Sequence, residues 1–268
     1  MKIIVPIDLS AVALNAFVYA LQMAQLPEAD IITLYVQPDD GLSPANEDDA
    51  AQGTDDPYSR YVQELDTIAK KKDRTGTRIT HMRQQGAAAG EIAAFARSRQ
   101  ADCIVMGARR GHGLSHRLFG FLSEQLMDSC SCYVVAVPED CTYREITKII
   151  LLAHLPSLGL YELKRLLRFA ERFHAHVNVV ELKDDFKEED AALLNRWADR
   201  LYKAEVSFHI LVCAESELMP AITGYAASNE ASLVAVHAYS YNAAERIAGR
   251  DLSLQLLERL QIPLLELH

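Results

Sequence analysis

Residues 2–8 read KIIVPID, and residues 148–154 read KIILLAH. Each is a short apolar run closed by a polar residue. A run of this kind, without polar alternation, predicts a strand buried on both faces, as a parallel sheet covered by helices requires. Ser10 stands where it can cap a helix, and Leu14, Phe17, Val18, Leu21 and Ala24 then recur at helical spacing. The second run is followed in the same way by Leu160, Leu163, Leu167, Ala170 and Phe173.

Working outward from the first run, DIITLYV predicts a second strand. The stretch QPDDGLSPANEDDAAQGTDDPYS is rich in Asp, Glu, Gly and Pro, lacks a basic residue, and predicts a long exposed loop. A helix over roughly residues 60–72, the strand RITHM, a helix with Ile92 and Phe95 on one face, and the strand DCIVMG follow. Leu122 and Leu126 begin another helical face, and CYVVAVP closes the series as a strand. Strands alternating with helices predict a parallel sheet flanked by helices. EDCTYREIT reads as a linker. After it, KIILLAH, HVNVVEL, VSFHILV, SLVAVHA and IPLLELH repeat the strand series, and EEDAALLNRWADRLYKA and ELMPAITGYAASNEA repeat the helices. An internal duplication is the simplest account. The expected domains are residues 1–140 and 146–268.

Half of the 268 residues are hydrophobic, enough for packed cores, and the formal net charge is −10. That balance argues against general binding to nucleic acid or to anionic membranes. The five cysteines form no C-x-x-C pair or regular framework, which fits free thiols in a reducing compartment. No apolar run approaches a membrane span, and the start reads as a strand and not as a signal peptide. The expectation is a cytoplasmic protein.

In an open parallel sheet, ligands collect outside the carboxyl ends of the strands, where the strand order reverses. Asp8 closes the first strand and Gly107 the fourth. If those strands are neighbours, both residues face one crevice. The carboxylate there accepts hydrogen bonds from a base or ribose, and the glycine loop presents N–H groups to phosphates. A helix starting near Gly120 adds its positive end. Arg109, Arg110, His112, His116 and Arg117 make this loop basic inside an acidic chain.

VPIDLS, LYV, ADCIVMGARRG with FGFLSEQL, and CYVVAVP carry a resemblance to the universal stress protein family. The whole chain looks like a tandem member. The resemblance implies two α/β domains, each a five-stranded parallel sheet of order 3-2-1-4-5 flanked by helices. Many members bind ATP through G-x2-G-x9-G-[S/T]. Gly107 fits the first glycine, Arg110 replaces the second, Gly120 fits the third, and Phe121 replaces the hydroxyl residue. A second register takes Gly111 as the middle glycine. Asp8 matches the acidic residue near adenine and ribose, Val36 the position whose backbone reads the adenine edge, and Ser123 a second hydroxyl at the helix start. Arg110 lacks glycine's backbone freedom but brings a donor fork suited to phosphate. Phe121 removes a donor and adds bulk. The candidate nucleotide-binding residues are therefore Asp8, Val36, Gly107, Arg109, Arg110, Gly120 and Ser123, for ATP or a related adenine nucleotide, with no cofactor required.

The second half departs further. His154 replaces the strand-one Asp, His237 replaces the first glycine, and Gly249 alone remains of the loop, so a degenerate, structural half is expected. His174 and His176 read as a surface pair and not as metal ligands, and Cys130 and Cys132 as buried inert thiols. No nucleophile elbow, H-E-x-x-H or Walker A pair occurs, so no catalytic constellation is identified. The resemblance implies a regulatory stress-response protein acting by binding, with an unidentified protein partner. The alternatives are a nucleotide-free interaction scaffold and a slow ATP hydrolase. Family members pair through their last strands, so YVVAVP and IPLLEL are expected to join the halves as a pseudo-dimer, with a further homodimer open.

Overall fold

The computed structural model of the chain describes residues 1–24, 29–38, 56–72, 76–109, 132–237 and 252–267, with the backbone alone at 237 and 254. The chain has two compact units, Met1–Tyr143 and Arg144–His268. The first contains β1 (Lys2–Ile7), α1 (Ala11–Met23), β2 (Asp30–Gln37), α2 (Pro57–Lys72), β3 (Arg78–Gln85), α3 (Ala88–Arg99), β4 (Cys103–Ala108) and β5 (Tyr133–Pro138). Its strands are parallel and ordered β3-β2-β1-β4-β5. The second contains β6 (Lys148–Leu152), α4 (Leu160–Glu171), β7 (His176–Lys183), α5 (Glu188–Arg200), β8 (Val206–Val212), α6 (Leu218–Ser228), β9 (Leu233–His237), α7 (Leu252–Arg259) and β10 (Leu264–Leu267). Its parallel order, β8-β7-β6-β9-β10, repeats that of the first. Both sheets thus have the expected 3-2-1-4-5 order. The helix expected around Leu122 and Leu126 lies outside the described residues.

The apolar runs form the middle of each sheet. Ile3, Ile4 and Val5 of β1 and Ile149 and Leu151 of β6 are fully buried. Burial of each such side chain is worth about 1.5–3 kcal/mol. Helix α1 differs from its expected stripe. Phe17, Leu21 and Ala24 are buried, but Leu14 and Val18 are only half-buried, and Ala13, Ala16, Tyr19, Ala20 and Met23 take the remaining buried positions. The alanines let the helix lie close to the sheet, and the Tyr19 ring meets Tyr143 edge-on at 5.2 Å.

Three boundaries shift for physical reasons. Strand β3 runs to Gln85, beyond the expected RITHM, because alternating exposure suits an edge strand with one wet face. Helix α2 begins at Pro57, because Asp56 caps it: its Oδ1 accepts from the Tyr58 N–H at 3.4 Å and its Oδ2 from the Ser59 hydroxyl at 3.3 Å. Proline suits the first helical position. The stretch EDCTYREIT, expected as a linker, holds the boundary between the two units and is anchored on the first. Cys141 and Ile146 are buried, and Asn15 Nδ2 donates to the carbonyls of Pro138 (3.2 Å) and Cys141 (3.0 Å).

The duplication extends to hydrogen bonds. Asp102 precedes β4, and its Oδ2 accepts from the Lys2 N–H at 2.7 Å while its own N–H donates to the Lys2 carbonyl. Ser232 precedes β9 and does the same for β6. Its Oγ accepts from the N–H groups of Thr147 and Lys148, both at 3.0 Å, and donates to the Lys148 carbonyl at 2.8 Å. After α3 and α6 the chain reverses through left-handed Gln100 (φ 53°) and Glu230 (φ 51°), closed by Ala101 N–H to Ala96 and Ala231 N–H to Ala226, each at 2.9 Å. In the second unit Trp197 of α5 is buried in a stack with Phe208 of β8, ring centroids 5.6 Å apart.

Ser232→Ala leaves two N–H groups at the start of β6 without their acceptor. It is expected to lower stability by about 1–3 kcal/mol, read as a lower urea midpoint at unchanged m-value. An unchanged midpoint would show that water replaces the hydroxyl at no cost.

Candidate functional site

In the first unit β1 lies between β2 and β4, so the chain leaves the sheet in opposite directions on the two sides of β1. The register Ile3↔Cys103 and Ile4↔Ile104, carried along both strands, sets Ile7 level with Gly107 and Asp8 level with Ala108. The carboxyl ends of β1 and β4 are therefore side by side, as the crevice requires. The β1–β2 ladder stops at Ile7↔Tyr35, while β2–β3 runs on to Gln37↔Gln85. Half-buried Val36 thus stands just past the end of β1.

Asp8 is exposed, and its Oδ1 accepts from the Ser10 N–H at 3.0 Å across Leu9, which takes the left-handed conformation at φ 63°. Ser10, not Asp8, caps α1: its Oγ accepts from the Ala13 N–H at 3.2 Å. Tyr61 of α2 donates its hydroxyl to the Ser10 carbonyl at 2.9 Å. Burial, then the charges of Asp8 and Glu64, push the Tyr61 phenol above its ordinary range, so it stays a donor. Helix α2 is thereby tied to the turn that carries Asp8.

Gly107 has a packing reason of its own. A Cβ there would lie 2.6 Å from both the carbonyl oxygen and Cγ1 of Val12, in the first turn of α1. The strand and helix approach so closely that only glycine fits. Arg109 follows β4 and is exposed. Arg110, Gly120 and Ser123, like Gly111 and Phe121, lie outside the described residues. Of the seven candidates, the structure therefore brings Asp8, Val36, Gly107 and Arg109 to one edge of the sheet.

Two clusters escaped the sequence reading. Arg83 of β3 lies over the rings of Tyr35 (5.8 Å) and Tyr58 (5.5 Å), and its Nη2 donates to Gln37 Oε1 at 2.9 Å. Its Nη1 is 3.7 Å from Asp56. This group fastens the start of α2 over the ends of β2 and β3. In the second, Thr33 Oγ1 is 2.7 Å from His81 Nδ1, and His81 Nε2 is 3.1 Å from Asp66 Oδ1. The order Thr–His–Asp is that of an acid–base relay. Thr33, however, is fully buried within the sheet, where no substrate reaches it. The chain of hydrogen bonds joins β2, β3 and α2. Neither cluster has a local spacing that announces it; each is assembled from separate elements.

In the second unit His154 stands where Asp8 stands in the first, and is half-exposed. His237 closes β9. Gly249 lies outside the described residues. His174 adopts φ 53° and is exposed, whereas His176 turns onto β8, its Nε2 3.0 Å from Ser207 Oγ. Among the described residues no group of three or more His, Cys, Asp or Glu side chains is arranged to hold a metal. Cys103, Cys132 and Cys141 are buried free thiols, Cys213 is half-buried, and Cys130 lies outside the described residues. No described helix is long and apolar enough to cross a membrane.

Two repeats of one parallel sheet, each with the strand order reversing at its first strand, define a duplicated, doubly wound α/β protein. The model of the universal stress protein family matches residues 1–138, and the chain belongs to that family. A universal stress protein of Methanocaldococcus jannaschii is 31% identical over 144 residues, covering 51% of this chain and 81% of that one. Over the full length, the crystal structure of a universal stress protein from Archaeoglobus fulgidus has the same fold, with TM-score 0.64 at 12% identity over 99% of this chain and 95% of the other. A Pseudomonas aeruginosa protein of unknown function also shares it, with TM-score 0.57 at 13% identity over 99% and 92% of the two chains.

Gly107→Ala forces Cβ against the backbone of Val12. We expect a loss of about 1–3 kcal/mol, measured by denaturant unfolding without any ligand. Wild-type stability in this variant would show that the close approach relaxes freely.

Proposed function

We propose that the protein is a stress-response regulator that holds ATP or a related adenine nucleotide at the carboxyl edge of its first unit. The observation that supports this most is the juxtaposition of Asp8 and Gly107 on neighbouring parallel strands, at the point where the strand order reverses. In this reading Asp8 accepts hydrogen bonds from the ribose or base, and the Val36 backbone meets the adenine edge. Arg109 and Arg110 supply charge to the phosphates, with Gly107, Gly120 and Ser123 providing the rest of the loop. The mechanism is binding without turnover: the nucleotide shifts the population of a surface that a protein partner reads.

One observation favours a second reading, a nucleotide-free scaffold. Val12 accounts for Gly107 without any ligand. The neighbouring Arg110 and Phe121 then close a site that the fold still outlines.

Isothermal titration with ATP, ADP and AMP separates the two. The nucleotide reading expects saturable heat with at least one of them, weakened about tenfold or more by Asp8→Ala through loss of a charged acceptor. The double change Arg110→Gly, Phe121→Ser is expected to tighten ATP binding. No heat and no thermal shift with any of the three would leave the scaffold.

A further inference from the structure

The second unit carries a buried carboxylate, Glu181, one of whose oxygens is unpartnered among the described residues. The β6–β7 register begins at Lys148↔His176 as the β1–β2 register begins at Lys2↔Asp30, so Glu181 stands where Tyr35 stands in the first unit. It lies near the carboxyl end of β7, beside the turn that follows β6. Glu181 is only 3% exposed, and its Oε2 has no hydrogen-bond partner among the described residues. The other side of the carboxyl group receives the Leu155 N–H, and Oε1 lies 3.6 Å from His154 Nε2. The Lys183 ammonium acts on it through space while bound by Asp190 at 2.6 Å. Burial therefore raises the Glu181 carboxyl above its ordinary range despite the neighbouring His154 and Lys183.

The Ser157 hydroxyl donates to the His154 carbonyl at 3.1 Å, so its Oγ is left to accept from His154 Nδ1–H, also at 3.1 Å. A hydroxyl has one proton to give. In the neutral imidazole Nε2 is then a lone pair facing a carboxylate. Glu181 Oε2 and the His154 Nε2 lone pair are thus acceptors without a donor among the described residues, and Oε1, which takes the Leu155 N–H, keeps a second lone pair beside them. An unpaired buried carboxylate costs stability, and its retention calls for a cause. Half-exposed His154 opens the group to solvent.

We propose that Glu181 and His154 form a binding site for a primary ammonium group, whose three N–H donors match these three acceptors. The class of ligand is a small amine carried as its cation. An anionic phosphate would meet the Glu181 carboxylate, so this site has the opposite preference from the edge of the first unit. The inference is independent of nucleotide binding there.

The test is titration of the full chain at mildly alkaline pH, followed by NMR or calorimetry, with n-butylammonium and, in parallel, tetramethylammonium, which has the same charge but no N–H. Saturable binding of n-butylammonium alone is expected. Glu181→Gln, nearly isosteric, should weaken it about tenfold or more by removing a charged acceptor, and should raise the melting temperature of the ligand-free chain. His154→Ala, at a half-exposed position, should also weaken it. Equal binding of both cations, binding unaffected by Glu181→Gln and His154→Ala, or no saturable binding would overturn the proposal. Asp184→Asn with Asp185→Asn guards against diffuse attraction to an acidic surface: a loss as large as that from Glu181→Gln would also overturn it.

Discussion

The middle strand of each sheet has nowhere to send its backbone N–H and C=O groups except to its two neighbours. Ile3, Ile4 and Val5 of β1 are fully covered on both faces, so water reaches neither. Unpaired backbone groups in that position are costly. Both edges of β1 are therefore paired, by β2 on one side and β4 on the other, and the same holds for β6 between β7 and β9. A strand that is first in its series and middle in its sheet forces the chain to wind away in two directions. The polar edge at Asp8 and Gly107 is a by-product of that winding, as is the edge at His154 and Glu181.

The inner strands were legible because burial on both faces leaves an unmistakable apolar run. Periodicity served less well where an element faces two environments. Helix α1 lies on the sheet and beside α2, so its buried surface is wider than one stripe, and small alanines carry much of it. The two units divide inside EDCTYREIT, but its anchoring was not legible, because Cys141 and Tyr143 meet Asn15 and Tyr19, far off in sequence. Of the candidate site, the placement of Asp8 and Gly107 at neighbouring strand ends was legible by position. The reason for the glycine was not, because it is Val12, an ordinary helix residue, that demands it. The partners of Glu181 and the Thr33–His81–Asp66 chain had no signal at all in local spacing.

Comparison of the two units separates what the fold requires from what it permits. Asp102 and Ser232 differ in chemistry but fix the first residue of a middle strand in the same way, and Gln100 and Glu230 reverse the chain at the same place. These devices survive in both copies. The carboxyl edge does not: an acid on the first strand beside a tyrosine on the second becomes a histidine on the first beside an acid on the second. The scaffold is shared and the edge chemistry has diverged, which is the pattern expected when stability constrains the interior more tightly than the rim.

The stack of Trp197 on Phe208 has a consequence for anyone watching the molecule with light. The chain has a single tryptophan, and it lies in the second unit, while Tyr19, Tyr35, Tyr58 and Tyr61 sit among the packed groups of the first. Indole emission thus reports on one copy of the fold, whereas the eleven tyrosines are shared, six in the first unit and five in the second. Unfolding of the second unit can therefore be followed by its own emission, without any label.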